Sequence, residues 1–287
     1  MNIAGFIATY EGAVRVGAFA LVFAGMAAWE LAVPARARAL PRSRRWTGNL
    51  LLSALGAVIV RLIFPAAALG VAVAAEQNGA GLLRMSTLPG WLAVVLAVLL
   101  LDLAIYFQHR LLHALPELWR LHRVHHADPE FDLTTGLRFH PFEILLSALI
   151  KAAAIFAIGP PLLAVLIFET ALNVGSVFNH ANVRLPAPLE RIVRRLVVTP
   201  DMHRVHHSRD TRETNSNFGF NLSIWDRLFA TYLAQPRLGH AGLRIGVDGF
   251  DDERVTTRFF GMLAMPFAHR ISEAGENTRS NQGTPHL

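Results

Sequence analysis

The sequence predicts an all-α, polytopic membrane helical bundle that carries a histidine-rich helical cap on its cytoplasmic side. Three observations predict it. Of 287 residues, 53% are hydrophobic and only 17% are charged, where a soluble domain carries about a quarter charged residues. The apolar residues gather in runs long enough to span a bilayer, which takes about 20 residues and tolerates roughly 17. Ten of the 13 histidines lie between positions 109 and 207, beside those runs, where polar side chains are costly and mark function.

The first apolar run covers about 16–33, and it starts too late and lacks the basic flank of a cleaved signal peptide. The link "ARARALPRSRR" follows, with arginines at 36, 38, 42, 44 and 45. A second run covers 50–75, and the next link, 76–89, holds one arginine and one glutamate. A third covers 90–107. The fourth block, 142–178, is broken by Gly159-Pro160-Pro161 into two arms interrupted by Lys151 and Glu169. That pattern fits a spanning or a re-entrant hairpin; the alternative is a helical pair buried in a soluble core. The positive-inside rule puts the arginine-rich link in the cytoplasm and 76–89 outside, so residues 109–141 and those after 178 face the cytoplasm.

Three regions result: N-terminal transmembrane helices at 1–107, a histidine-rich region with the hairpin at 108–233, and a C-terminal cytoplasmic segment at 234–287. The last 19 residues read as a disordered tail. The net charge of +6 is placed in membrane-flanking segments, which suits anionic headgroups and not nucleic acid. The absence of cysteine excludes disulfides, thiolate metal sites and iron–sulfur clusters within the chain.

The phrase His-Arg-Val-His-His occurs twice, at 122–126 and 203–207. In each copy the second and third histidines follow the first by three and four residues, so each copy can aim up to three imidazoles at one point. His109 and His113 in "HRLLH" share a helix face in the same way. Imidazoles without thiolates or many carboxylates suit zinc, iron, copper or nickel, not calcium or magnesium. His122, His125, His126, His203, His206, His207, His109 and His113 make eight candidate ligands, and His180 in "FNHAN" makes nine. One metal cannot use nine imidazoles and two can, so the cap is expected to hold a dinuclear site. His140 in "RFHPFE" precedes a proline, which biases it out of helix, and is a further candidate as ligand, orienting group or structural residue. Asp102 and Tyr106 lie seven residues before His109 and His113, and a heptad drifts only about 20° around a helix. Asp102 is therefore expected to orient an imidazole, with Tyr106 on the same stripe. Asn173 stands in the same relation to His180, and Asp128, Glu143, Asp201, Asn179 and Asn182 are weaker candidates.

The pieces "DLAIYFQHRLLH", "LWRLHRVHHAD", "LRFHPFE", "FNHAN", "TPDMHRVHHS" and "NFGFNLSIWDRLFATY", in order over about 100–233, resemble the fatty acid hydroxylase superfamily. That family includes sterol desaturases, fatty acid hydroxylases and alkylglycerol monooxygenases. The resemblance implies two iron ions in a non-haem centre, with O2 as co-substrate, attacking a lipid C–H bond. It implies that the eight motif histidines are ligands, with His180 joining them. Hydroxylation is favoured, with desaturation left open. One departure is Ser176, where some members carry a further histidine. A membrane lipid is the implied substrate, in a bacterial inner membrane. Electrons would come from a separate ferredoxin, cytochrome or reductase docking on the cytoplasmic face, where Arg191, Arg194, Arg195, Arg204, Arg209 and Arg212 could meet it; headgroup binding would explain those arginines equally. The alternatives are a membrane zinc hydrolase, which the lack of an HExxH helix disfavours, and a non-catalytic metal-binding or transport protein. The latter calls for polar residues along the spans, where Arg61 and Asp102 stand nearly alone.

Overall fold

Prolines and glycines set the joints of this chain, and apolar runs fill the spaces between them. The computed structural model describes residues 3–65 and 67–268. Among these, all regular structure is helical, with two isolated bridges and no strand. The long helices are α1 (Ile3–Ala32), α2 (Arg42–Ile63), α3 (Ala67–Gln77), α4 (Gly90–Ala114), α6 (Pro141–Ile158) and α7 (Leu162–Asn179), with α5 (Pro116–His126) between α4 and α6. After α7 come α8 (Ala187–Val193), α9 (Pro200–His206), α10 (Thr211–Thr214) and α11 (Ile224–Leu228). Five segments, with 42–77 taken as one, are long and apolar enough to cross a membrane. This is an integral membrane protein.

Residues 50–75 do not form the single uninterrupted helix their hydropathy predicts. Pro65 has no backbone N–H and crowds the residue before it out of the helical region; Phe64 accordingly adopts ψ 69° and ends α2. Upstream, Gly56 lies against Ile144 of α6, so close that a β-carbon there would sit 3.3 Å from the isoleucine side chain. The first turns of α2 reach the cap, where Arg45 and Asn49 meet Asp128, and the break at Pro65 lies nine positions beyond Gly56 with Pro65 exposed.

The 142–178 block forms the hairpin its sequence predicts. Gly159 ends α6 in the left-handed conformation at φ 66°, which glycine adopts without a side-chain clash. Its tip meets the link after α3: Leu82 and Leu83 donate to the carbonyls of Ala157 and Ile158, both at 2.9 Å. The tip thus reaches the link on the far side of the bundle, as a spanning hairpin does. Small and branched residues of α3, α4, α6 and α7, among them Ala72, Ala97, Leu101, Ile155, Val165 and Phe168, pack the core between these helices. The arginine-rich link lies at the opposite end: Ala35 donates to Asn182 at 2.8 Å and Ala39 to Glu130 at 2.7 Å. Link 34–41 and both histidine phrases share one side of the bundle, and link 78–89 lies on the other.

Not all of the basic residues reach lipid, as their membrane-flanking positions had suggested. Arg45 is fully buried, paired bidentately with Asp128 (both contacts 2.7 Å) and bonded to Asp132 at 2.6 Å. Thr135 and Asn49 add donors to Asp128. Burial alone would raise the Asp128 carboxyl, but Arg45 and Arg138 hold it down at about 2. Removing one partner from such a pair costs about 3–5 kcal/mol. This network ties the start of α2 to residues 128–138, the loop that follows the first histidine phrase. The C-terminal segment folds onto the cap as well: Arg123 donates to the carbonyls of Met265 and Ala268. The expected disordered tail lies outside the described residues.

Candidate metal centre

Four helices deliver the histidines. His109 and His113 end α4, His122, His125 and His126 end α5, and His203 and His206 end α9, with His207 as its C-cap. His180 caps α7. All nine meet, and they divide into two groups. His109, His113, His122, His126 and His206 form one; His125, His180, His203 and His207 form the other; in each, the nitrogens lie within 4.8 Å of one another.

The division corrects one expectation: a phrase does not aim three imidazoles at one point. In the first copy, residues one full turn apart, His122 and His126, enter the five-histidine group, and His125 enters the other. In the second copy His203 and His207 go to the four-histidine group and His206 to the five. Residues i and i+4 are offset by about 40° on a helix, whereas i+3 falls about 60° to the other side. Two facing phrases therefore exchange one histidine each, and each group draws on both copies.

Backbone and carboxylate acceptors fix the orientations of four rings. His109 donates Nδ1–H to the Phe218 carbonyl, His206 to Ser216 and His180 to Ser176, at 2.8, 2.8 and 2.7 Å. His122 Nδ1 lies 2.7 Å from Glu143 Oε1, both side chains 2% exposed. A carbonyl can only accept, so His109 and His206 each carry a bare lone pair on Nε2. Those two Nε2 atoms face each other at 2.9 Å. Two lone pairs at that distance repel unless a cation sits beside both. Two nitrogens bound at right angles to one metal, each about 2.1 Å from it, would be about 3 Å apart. Nε2 atoms of His113, His122, His126 and His207 are buried without a partner. The donor set fits a pair of metal ions.

Burial, together with the neighbouring imidazoles, holds His125, His126, His203 and His207 below the ordinary histidine range. Burial also pushes His180 and His206 down to about 3, against the opposing pull of their carbonyl acceptors. The rings are therefore neutral near pH 7, the form that binds metal. Aromatic rings wall the groups from water: Phe139 stacks on His125 at 4.4 Å, Phe131 on His180 at 5.7 Å, and Trp119 lies 4.9 Å from His113. A cavity of about 450 Å³ opens below, touching His109, His122, His125 and His203 and continuing between α2, α3, α4, α6 and α7.

The fatty acid hydroxylase family model matches residues 94–231, which carry all nine histidines and their carbonyl acceptors. Over these residues, just under half of its length, the chain carries a fatty acid hydroxylase domain. Its relatives include the ornithine lipid hydroxylase OlsE of Rhizobium tropici, 32% identical over 178 residues, which are 62% of this chain and 51% of that protein. An alkylglycerol monooxygenase of Xenopus tropicalis is 28% identical over 197 residues, 65% of this chain and 42% of that one. The fatty acid hydroxylase vlmA of a Lecanicillium species is 30% identical over 165 residues, 49% and 42% respectively. The chain spans about half or less of the length of these relatives. No solved structure matches it.

Around this domain's histidines, the other candidates fall into place by their contacts. Asp102 touches none of the clustered imidazoles. Its carboxylate accepts from Asn221, the Leu222 amide and Trp225 at 2.9, 3.2 and 2.8 Å, so it clamps the segment before α11 onto α4. Two helical turns, about 10 Å, separate it from His109, too far for the expected contact. The Tyr106 hydroxyl meets Thr231 at 2.8 Å. Asn173 lines the cavity. His140 joins neither group: it caps α6 by accepting from Phe142, and its Nε2 lies 3.3 Å from the Leu263 carbonyl. Ser176, at the family departure, donates to the Gly136 carbonyl at 2.6 Å. Glu143, a weaker candidate from sequence, is the carboxylate that meets an imidazole of the groups. Sequence reasoning missed Glu30, buried at the end of α1, which accepts from the amides of Leu133 and Asn182 at 2.8 and 2.7 Å. Its signal was the same as that of Asp102, a carboxylate near the end of an apolar run. Of the six arginines proposed to meet a redox partner, Arg204 is buried against Asp201 and the Val183 carbonyl, and Arg209 pairs with Asp251 at 2.6 Å. Arg191, Arg195 and Arg212 are exposed.

Proposed function

We propose that the chain is a membrane-bound non-haem di-iron oxygenase that inserts oxygen into a C–H bond of a membrane lipid, with desaturation as the second outcome. The observation that carries this reading is the pair of all-imidazole groups, five and four histidines, opening onto one apolar cavity within the bundle. Five converging imidazoles exceed the four-coordinate set that zinc takes in protein sites, and nitrogen donors without thiolate suit iron. The names of the relatives, lipid hydroxylase and alkylglycerol monooxygenase, support the same chemistry.

Two irons held by the nine histidines would supply the redox chemistry that activates O2. The chain's own residues do the rest. Phe218, Ser216 and Ser176 carbonyls and Glu143 hold His109, His206, His180 and His122 in the tautomer that presents Nε2. Trp119, Phe131 and Phe139 exclude water. The cavity holds an alkyl chain against His109, His122, His125 and His203. The overall change, C–H + O2 + 2 electrons + 2 protons to C–OH + water, needs two electrons per turnover. A separate ferredoxin, cytochrome or reductase would supply them, since this chain has no cysteine for a cluster. That the arginine-rich link shares the histidine side supports, by the positive-inside rule, a centre facing the cytoplasm at a bacterial inner membrane.

Expression in a host lacking the protein, followed by lipid mass spectrometry with and without O2, tests this. A gain of one oxygen in an O2-dependent product marks hydroxylation, a loss of two hydrogens marks desaturation, and His206→Ala abolishes both. Zinc in place of iron after iron-supplemented growth, with no O2 consumed when reductant is supplied, overturns it.

A further inference from the structure

Ionised side chains inside a bilayer are costly, and they mark substrate paths when they face a cavity. Four of them lie away from the histidines and have no part in metal binding. Glu169 of α7 accepts from Lys151 of α6 at 2.6 Å and from Arg15 of α1 at 3.0 Å. Arg61 of α2 donates to the Pro65 carbonyl at 2.8 Å, across the break in that helix. Arg15, Arg61, Lys151 and Glu169 all line the cavity that ends on the histidines.

Their depth is set by the Gly56–Ile144 contact. Arg61 is five positions beyond Gly56 and Lys151 seven beyond Ile144, so both lie about 8–10 Å further into the bundle. The broken helix is at the same level, and irregular backbone persists at membrane depth only where protein buries it or a cavity receives it. Three cations and one carboxylate therefore line one cavity, Lys151 and Arg15 against Glu169 and Arg61 at its exposed edge. Glu11 offsets Arg15, and one positive charge remains in excess. Donors are in excess too: both Glu169 oxygens are engaged, Lys151 uses one of its three N–H groups, and Arg15 Nε is buried without a partner. Pinning α6 and α1 to α7 would need only the matched pairs.

Building on the lipid-oxidation reading above, we propose that Lys151, Arg61 and Arg15 bind the carboxylate of the lipid whose alkyl chain reaches the histidines. Glu143, which touches His122, is eight positions from Lys151, about 12 Å along α6. An extended carbon chain advances about 1.3 Å per carbon, so the carbon at the histidines lies on the order of nine carbons from the carboxylate. The carboxylate belongs either to a free fatty acid or to the polar headgroup of a larger lipid.

Displacement of a fluorescent long-chain probe from the detergent-purified full chain tests this without turnover, so a failed oxygenase assay leaves the result intact. Hexadecanoate should displace the probe about tenfold better than hexadecanol, the strength of one charge-assisted hydrogen bond. Lys151→Met should erase that ratio and Lys151→Arg should keep it. Glu169→Gln, which removes the counter-charge, should raise it. N-hexadecanoylglycine binding more tightly than hexadecanoate names a headgroup carboxylate as the source, and the reverse order names a free fatty acid. Equal displacement by acid and alcohol in the unaltered protein overturns the proposal. So does an equal loss of both ligands in Lys151→Met and Glu169→Gln, the result of a purely structural ion cluster.

Discussion

Glu143 offers a way to loosen one histidine group and spare the other. Its carboxylate lies 2.7 Å from His122 Nδ1 with both side chains 2% exposed, so water cannot replace it. His122 belongs to the five-histidine group, and no histidine of the four-histidine group contacts Glu143 among the described residues. A buried hydrogen bond to a charged group contributes about 1.5–3 kcal/mol, a factor of roughly 10–150 in metal affinity, in line with the 10–100-fold typical of groups that orient a ligand. Glu143→Ala should sit toward the upper end of that range. Glu143→Gln keeps a neutral acceptor of about half the strength and should fall near tenfold. The assay is metal content per chain after a timed chelator challenge: the unaltered protein should retain about two irons, and Glu143→Ala about one. Loss of both metals together, or retention of both, would refute the assignment of Glu143 to one group.

Two further outcomes follow from buried groups. Asp102→Asn should leave metal content unchanged and lower thermal stability by about 1–3 kcal/mol, because an amide sets a donor against N–H groups that now find an acceptor; metal loss without a change in melting would restore the orienting role. The metal-free protein should be less stable in acid. His180 and His206 titrate near 3 when folded and near 6.5 when unfolded, so below about pH 6.5 only the unfolded chain gains their protons. Their stability is present above that pH and declines toward pH 3, by about 1.4 kcal/mol per unit for each ring. Melting of metal-free protein should fall by roughly 5–10 °C from pH 7.5 to 5.5, and a flat profile would contradict the buried, neutral state of these two rings.

The histidine spacing made the number of gathered imidazoles legible, because i, i+3 and i+4 are properties of a helix alone. The exchange of His125 and His206 between groups was not legible, since it depends on how α5 and α9 rotate against each other. Asp102 shows the same limit. Its cost in an apolar run announced a partner, but Asn221 and Trp225 lie more than a hundred residues away, and a local stripe suggested a histidine instead. The hairpin joint at Gly159-Pro160-Pro161 was read correctly from local backbone chemistry. Pro65 carried the same kind of signal and was outweighed by the hydropathy around it. His140-Pro141 spelled a helix start, and the histidine acts there as a cap. Lys151 and Glu169 were seen only as interruptions, because their meeting with Arg15 needs α1 to lie along α7.

The buried pairing of Arg45 with Asp128 orders events during synthesis. The arginine leaves the ribosome 83 residues before its carboxylate partner, so while the first helices enter the membrane its charge is unneutralised and free to resist translocation. Once residues 128–132 emerge, the same charge is taken out of solvent and becomes internal. On the proposed orientation, the insertion signal is thereby spent in assembly, and the finished protein no longer displays all of the basic residues of that link.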